Sequence, residues 1–94
     1  MGWTVTKTNK VAKAEADLPE DVRASLFLLY KTLEASGPVI AWKNFAPLKQ
    51  LGAGNYHGHL KSGRPTYVAC WRVTDKRQRQ MEVFYAGTHE KAPY

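Results

Sequence analysis

The sequence predicts a single α+β domain in which a strand and two helices precede a run of three antiparallel strands. The chain has 94 residues, so it can build one hydrophobic core at most. Apolar residues make up 44% of it and aromatic residues 12%, enough for a packed core and against intrinsic disorder. Helical periodicity is confined to the first half, whereas strand-like segments separated by short polar turns fill the second half.

The first half of the chain contains the predicted opening strand and both predicted helices. Within residues 3–8, Trp3, Val5 and Lys7 alternate with three β-branched threonines, which favours a strand. Residues 10–16 are rich in alanine and charge and predict a short helix capped by Asn9. A second helix is expected to start near Pro19-Glu20, because proline is tolerated in a first turn and an acidic residue there suits the helix dipole. Its apolar stripe comprises Val22, Leu26, Leu29 and Leu33, and Gly37-Pro38 ends it.

The second half of the chain predicts a three-stranded antiparallel meander. Residues 39–53 mix apolar side chains with Pro47 and are expected to be mostly loop. Strands are predicted over residues 55–60, 66–73 and 81–87, and the short polar connections between them favour hairpins. Together with the opening strand they are expected to form one twisted sheet with the helices packed on one face. The other face would then be left to bind a ligand.

The charge of the chain is the first indication of function. Fourteen Lys and Arg against eight Asp and Glu give a net charge of +6. A basic domain suits a polyanion such as nucleic acid, because each neutralised phosphate releases condensed counterions. From residue 43 to residue 79 the only acidic residue is Asp75, so the basic surface is expected on the second half. The same charge also serves solubility, and composition alone does not separate these two roles.

Cysteine content and hydropathy predict a cytoplasmic protein. Cys70 is the only cysteine and has no partner for an internal disulfide, which favours a reducing compartment. The first ten residues are polar and lack the apolar middle and cleavage site of a signal peptide. No stretch approaches the roughly 20 apolar residues of a membrane span, so no membrane partner is expected.

Three histidines are the first candidates for chemistry, because a reference pKa of about 6.5 suits proton transfer at neutral pH. His57 and His59 lie two apart in a predicted strand, so both would project from one face. Such a pair can also be ordinary solvated surface. A zinc site with His89 and Cys70 is a third interpretation, disfavoured because Cys70 lacks a closely spaced partner ligand. No metal or cofactor is predicted.

The segment after the last predicted strand is the second candidate. His89 follows Gly87-Thr88 and is succeeded by charged residues, Glu90 and Lys91. Pro93 stiffens this segment, and the Tyr94 ring can pack or stack on a base. A frayed end is the alternative interpretation.

The chain resembles the RelE/ParE superfamily of type II toxin–antitoxin toxins. The resemblance lies in the order of elements and in three segments: Leu48-Lys49, Tyr56-His57 and Gly87-Thr88-His89 to Tyr94. RelE-like members cleave mRNA, commonly on the ribosome and without metal, whereas ParE-like members poison DNA gyrase. The resemblance implies an mRNA-cleaving toxin that inhibits translation and is held by a cognate antitoxin protein in a hetero-oligomer. A non-catalytic basic protein, either a gyrase poison or a nucleic-acid-binding adaptor, is the alternative.

The resemblance also implies which residues act. A late histidine or arginine and a terminal tyrosine belong to the active site of RelE-like nucleases, and His89 and Tyr94 match those positions. Glu90 and Val68 stand where the family places arginines. Arg64 is therefore expected to supply the phosphate-binding charge, with Arg72 as the alternative. The predicted catalytic residues are His89, Tyr94, Arg64, His57 and Glu90, and the predicted RNA or phosphate contacts are Lys49, His59, Lys61, Arg72, Lys91 and Tyr85.

Overall fold

The computed structural model describes residues 2–94 and has the α+β class that the sequence predicts, with two helices and a mixed five-stranded sheet. Two short 3₁₀ turns, Lys49–Leu51 and His89–Lys91, complete the described elements. Neither helix in this part of the chain combines the length and the hydropathy that a membrane crossing requires. The elements in chain order are β1 Thr4–Lys7, α1 Asn9–Asp17, α2 Glu20–Ser36, β2 Ala46–Pro47, β3 Asn55–Lys61, β4 Tyr67–Asp75 and β5 Gln80–Thr88.

The strand order in the sheet is β1-β5-β4-β3-β2. Strand β1 runs parallel to β5, and β3, β4 and β5 pair with their sequence neighbours in antiparallel fashion. Strand β2 lies inside the segment that was expected to be mostly loop, and it pairs with β3 through Ala46 opposite His57. Its proline is accommodated because β2 is an edge strand, where one side of the backbone needs no ladder partner.

The two helices follow the sequence signals, with one correction at a cap. Thr8, and not Asn9, caps α1: its hydroxyl accepts a hydrogen bond from the Val11 amide at 3.1 Å. Asn9 is instead the first helical residue. Helix α2 ends at Gly37, whose φ of 87° lies in the left-handed region that glycine adopts at little cost. The four predicted stripe residues of α2, Val22, Leu26, Leu29 and Leu33, are all fully buried.

The main core lies between the helices and one face of the sheet. Ala69 and Trp71 of β4 point into it, and the Trp71 indole donates a hydrogen bond to the Pro38 carbonyl at 2.9 Å. Val68 and Cys70 alternate with these residues and so point to the opposite face, yet both are fully buried. The expectation that the second face is left open is therefore wrong along the middle of β4.

Candidate functional site

The segment after β5 returns over the second face of the sheet. The His89 amide donates to the Thr66 carbonyl at 2.8 Å, which ties the 3₁₀ turn His89–Lys91 to the connection between β3 and β4. This approach follows from the register, since Tyr67 at the start of β4 pairs with Thr88 at the end of β5. From there the chain reaches Tyr94, whose hydroxyl lies 3.3 Å from His57 Nδ1.

All three histidines and Tyr94 meet in a cluster of four rings, called here the ring cluster. The His57 and His59 centroids are 6.1 Å apart, as two residues on the same face of one strand require. The His89 ring lies 6.1 Å from His59 and 5.6 Å from Tyr94. The Tyr94 and His57 rings are 4.7 Å apart, which closes the circuit. The two histidine groups that lie far apart in the sequence therefore form one site.

The ring cluster favours uncharged histidines on β3. Burial lowers the pKa of His57, and the nearby charges of His59 and His89 add to this effect. The pKa of His59 is lowered by burial first, then by His89 and Lys43. His59 Nδ1 is also the one buried side-chain nitrogen or oxygen in residues 2–94 without a hydrogen-bond partner. Protonation would place a buried N–H without an acceptor at this nitrogen, which also favours the neutral form of His59.

The backbone of His59 is held by two hydrogen bonds, one to Lys43 and one to Trp42. Its amide donates to the Lys43 carbonyl at 2.9 Å, and its carbonyl accepts from the Trp42 indole at 2.8 Å. Trp42 packs closely over Gly58, where an added Cβ would lie 2.7 Å from the indole ring. Lys43 and Trp42 were not predicted as part of the site. Their irregular segment carries no periodic pattern, so only the folded chain places them beside His59.

An open groove of about 930 Å³ lies against one side of the ring cluster and is called here the histidine groove. Arg64 lines this groove from the β3–β4 connection, and Lys91 lines it from the 3₁₀ turn after β5. Arg64 forms no ion pair with any of residues 2–94. The predicted residues that line the groove are His59, Arg64, His89, Glu90 and Lys91.

Four predicted residues lie outside both the ring cluster and the histidine groove. Lys61 binds Asp21 on α2 at 2.7 Å, and Arg72 binds Glu82 on β5 at 2.8 Å. Lys49 is exposed on the other 3₁₀ turn. The Tyr85 hydroxyl donates to the Thr88 carbonyl at 2.6 Å, so the ring is held within the sheet and burial raises its pKa. Arg64, and not Arg72, is therefore the arginine that lines the groove together with His59 and His89.

Tyr94 and Cys70 behave as parts of the packing. Burial raises the pKa of Tyr94 to about 12, so its hydroxyl stays protonated at neutral pH. Burial likewise raises the pKa of Cys70 to about 12, which leaves the thiol unreactive. Within residues 2–94, no three His, Cys, Asp or Glu side chains converge in an arrangement able to hold a metal ion.

No protein-family model, curated protein or solved structure matches this chain. The function is therefore argued from the residues and geometry of the site.

Proposed function

We propose that the chain is a RelE-like toxin that inhibits translation by cleaving mRNA through metal-independent acid–base catalysis in the histidine groove. The observation that supports this proposal best is the placement of His59 and His89, with ring centroids 6.1 Å apart, beside a groove that also holds Arg64 and Lys91. RNA cleavage through its own 2′-hydroxyl needs a base, an acid and positive charge at the phosphate. This groove supplies all three.

His59 is the proposed general base. Its lowered pKa keeps the imidazole neutral at pH 7, so a ring nitrogen can accept the proton of the 2′-hydroxyl. The 2′-oxygen then attacks the adjacent phosphorus, forming the bond that becomes a 2′,3′-cyclic phosphate. The fixed backbone of His59, bound through Lys43 and Trp42, holds the ring in position for this step.

His89 is the proposed general acid. In its imidazolium form it donates a proton to the departing 5′-oxygen as the bond from that oxygen to phosphorus breaks, leaving a 5′-hydroxyl. Arg64 and Lys91 offset the extra negative charge of the phosphorane, and the arginine can bind two phosphate oxygens at once. Glu90 lines the same groove and is the competing candidate for the base.

His57 and Tyr94 act as positioning residues in this proposal. The Tyr94 hydroxyl contacts His57 Nδ1, and both rings pack against neighbours in the ring cluster. Neither His57 nor Tyr94 lines the groove itself. Their role is to hold His59 and His89 at a fixed separation, since small displacements of catalytic groups carry large rate penalties.

The test is cleavage of mRNA by the purified protein on translating ribosomes, with new RNA ends mapped by primer extension. The wild-type protein is expected to generate ends bearing 2′,3′-cyclic phosphates. His59→Ala and His89→Ala are each expected to reduce the rate by roughly 10²-fold or more, while Lys13→Ala, at an exposed site on α1, is the matched control. A parallel reaction on free RNA shows whether the ribosome is required, and where free RNA is cut, the same reaction with EDTA tests metal independence. Absence of cuts at full ribosome occupancy would exclude the nuclease.

Glu90→Gln separates the two candidate bases. If His59 is the base, the Glu90→Gln protein retains cleavage while His59→Ala loses it. The opposite pattern would transfer the role to Glu90.

Binding without cleavage is the second candidate function. It is favoured by Glu90, whose carboxylate on the groove wall opposes the stabilisation of the negative charge that develops on a phosphorane, so it disfavours cleavage there. The chain would then act as a gyrase poison or a nucleic-acid-binding adaptor, and a gyrase cleavage assay distinguishes the first of these. For a toxin of either kind, nuclease or gyrase poison, we propose a cytoplasmic protein whose partner is a cognate antitoxin, assembled with it as a hetero-oligomer.

A further inference from the structure

A second cluster of cations lies in the turn between β4 and β5. Lys76, Arg77 and Arg79 are all exposed, and none of them forms an ion pair with any of residues 2–94. We call these three residues the basic turn. The one acidic side chain of this turn, Asp75, accepts a hydrogen bond from the Gln78 amide at 3.0 Å and so stabilises the turn itself. The basic turn therefore presents net positive charge to solvent.

The backbone of the basic turn is fixed. Its Arg79 amide donates to the Lys76 carbonyl at 3.3 Å, and its Arg79 carbonyl accepts from Thr4 at the start of β1 at 2.9 Å. Arg79 has a φ of 56°, a left-handed conformation that glycine or asparagine adopts at lower cost. This conformation belongs to the hairpin, in which a turn is commonly followed by one residue in the left-handed region.

An apolar pocket adjoins the basic turn. Its walls include Trp3, Tyr56 and Val73, and Lys76 belongs both to the pocket and to the turn. Val39 lines the same pocket and is 63% exposed, the largest value among the exposed large hydrophobic residues. Aromatic and apolar walls beside exposed cations match the chemistry of a nucleotide, whose base is flat and apolar on its faces and whose phosphate is anionic.

The basic turn is remote from the histidine groove. The groove lies at the Tyr67 end of β4, and the basic turn follows its other end at Asp75. A nine-residue strand is about 26 Å long between its ends. Arg72, the cation between the two ends on β4, is neutralised by Glu82. The two cationic regions are therefore separate surfaces.

We propose that the basic turn and the apolar pocket form a second binding site, one for single-stranded nucleic acid. Phosphates contact Lys76, Arg77 and Arg79, and one unpaired base enters the pocket beside Val39. A single strand is required because a base paired in a duplex cannot leave its stack to fill the pocket without cost. This site binds independently of whether the histidine groove cleaves.

The first experiment measures binding of a 2′-O-methyl RNA of roughly 12 nucleotides, a length within known single-strand site sizes. The 2′-O-methyl groups block any attack by the 2′-oxygen, so loss of binding cannot be confused with loss of cleavage. The Lys76→Gln, Arg77→Gln, Arg79→Gln triple variant is expected to bind roughly tenfold more weakly. For this variant, the slope of log affinity against log salt concentration is expected to decrease in magnitude by about 2, because each of three phosphate contacts to a single strand contributes about 0.7.

The matched control removes the same charge elsewhere. Lys10, Lys13 and Lys31 are exposed on the helices, and their triple glutamine variant is expected to retain nearly the wild-type affinity and salt dependence. Equal weakening by the two triple variants would overturn the proposal, since it would show that net charge alone governs binding. Equal affinity of the wild-type protein for a duplex of the same length would overturn the assignment to a single strand.

The second experiment tests the pocket. Val39→Asp places a carboxylate at its mouth and is expected to weaken RNA binding several-fold, whereas Leu28→Asp, at a residue 60% exposed on α2, leaves it unchanged. Unchanged binding by Val39→Asp would remove the pocket from the site. Arg79→Gly is expected to weaken binding without lowering the thermal unfolding midpoint, because glycine relieves the left-handed strain. A lower midpoint would indicate that Arg79 serves stability instead.

Discussion

The Tyr94 hydroxyl lies 3.3 Å from Nδ1 of His57, across 37 positions of the sequence. This contact holds the segment after β5 against the second face of the sheet. Cys70 pairs with His57 on one side and with Tyr85 on the other, and it is fully buried on this face. One contact between distant residues therefore both covers part of the sheet and completes the ring cluster beside the histidine groove.

Tyr94→Ala is expected to expose Cys70. Loss of the ring removes burial of roughly 2 kcal/mol, so the segment opens more often and alkylation of the thiol accelerates about tenfold or more. Tyr94→Phe keeps the ring and loses only the hydrogen bond to His57, about 1 kcal/mol, so Cys70 stays largely protected. The measurement is the rate of Cys70 modification under native conditions. Equal rates in the Ala variant and the wild type would show that Tyr94 does not cover this face.

Stability is expected to fall as the pH drops below about 6.5. The pKa values of His57 and His59 are depressed in the folded protein, so the unfolded chain binds protons first. The stabilising contribution of these two histidines is fully present above their unfolded pKa, and it is lost as the pH falls through their pKa values in the folded protein. The urea midpoint should therefore be lower at pH 5 than at pH 7.5, and a His57→Asn, His59→Asn double variant should show a smaller change. An unaltered slope in that variant would assign the pH dependence to other groups.

If the chain cleaves RNA as proposed, Arg64→Gln is expected to reduce the cleavage rate by roughly 10²-fold, because a charged donor near the phosphorane is lost. Arg64→Lys should recover only part of the rate, since an ammonium cannot bind two oxygens in a planar fork. Arg72→Gln is the matched control, because Arg72 is already paired with Glu82 at 2.8 Å. Single-turnover cleavage rates measure the difference. A larger loss from Arg72→Gln than from Arg64→Gln would transfer the phosphate-binding role to Arg72.

Gly58→Ala is expected to destabilise the fold by about 1–3 kcal/mol through overpacking. A Cβ at this position would lie 2.7 Å from the Trp42 ring and 3.3 Å from the Trp71 ring. Displacement of Trp42 would also strain its hydrogen bond to the His59 carbonyl. Urea unfolding measures the loss, and Ala53→Ser, at an exposed position in a turn, serves as control. A stability equal to wild type would show that Trp42 moves aside freely.

Local patterns in the sequence predicted much of the fold. The stripe of α2 and its end at Gly37 depend on side-chain spacing and on one glycine, which are local properties. The prediction failed where partners are distant. Strand β2 forms because Ala46 and Pro47 pair with β3. A strand of two residues is too short to show a periodic hydrophobic pattern in the sequence. The residue that caps α1 is Thr8, one position before the predicted Asn9, a difference within the usual uncertainty of helix ends.

The candidate site shows the same division. Three features of the candidate site could be read from residue types alone: histidines with a useful pKa range, a basic second half and a last segment rich in reactive side chains. The folded chain was needed to establish that His57, His59, His89 and Tyr94 meet, that Arg64 lines the groove with His59 and His89, and that carboxylates hold Lys61 and Arg72. Those relationships depend on strand register and on the return of the chain after β5, which residue types alone do not specify.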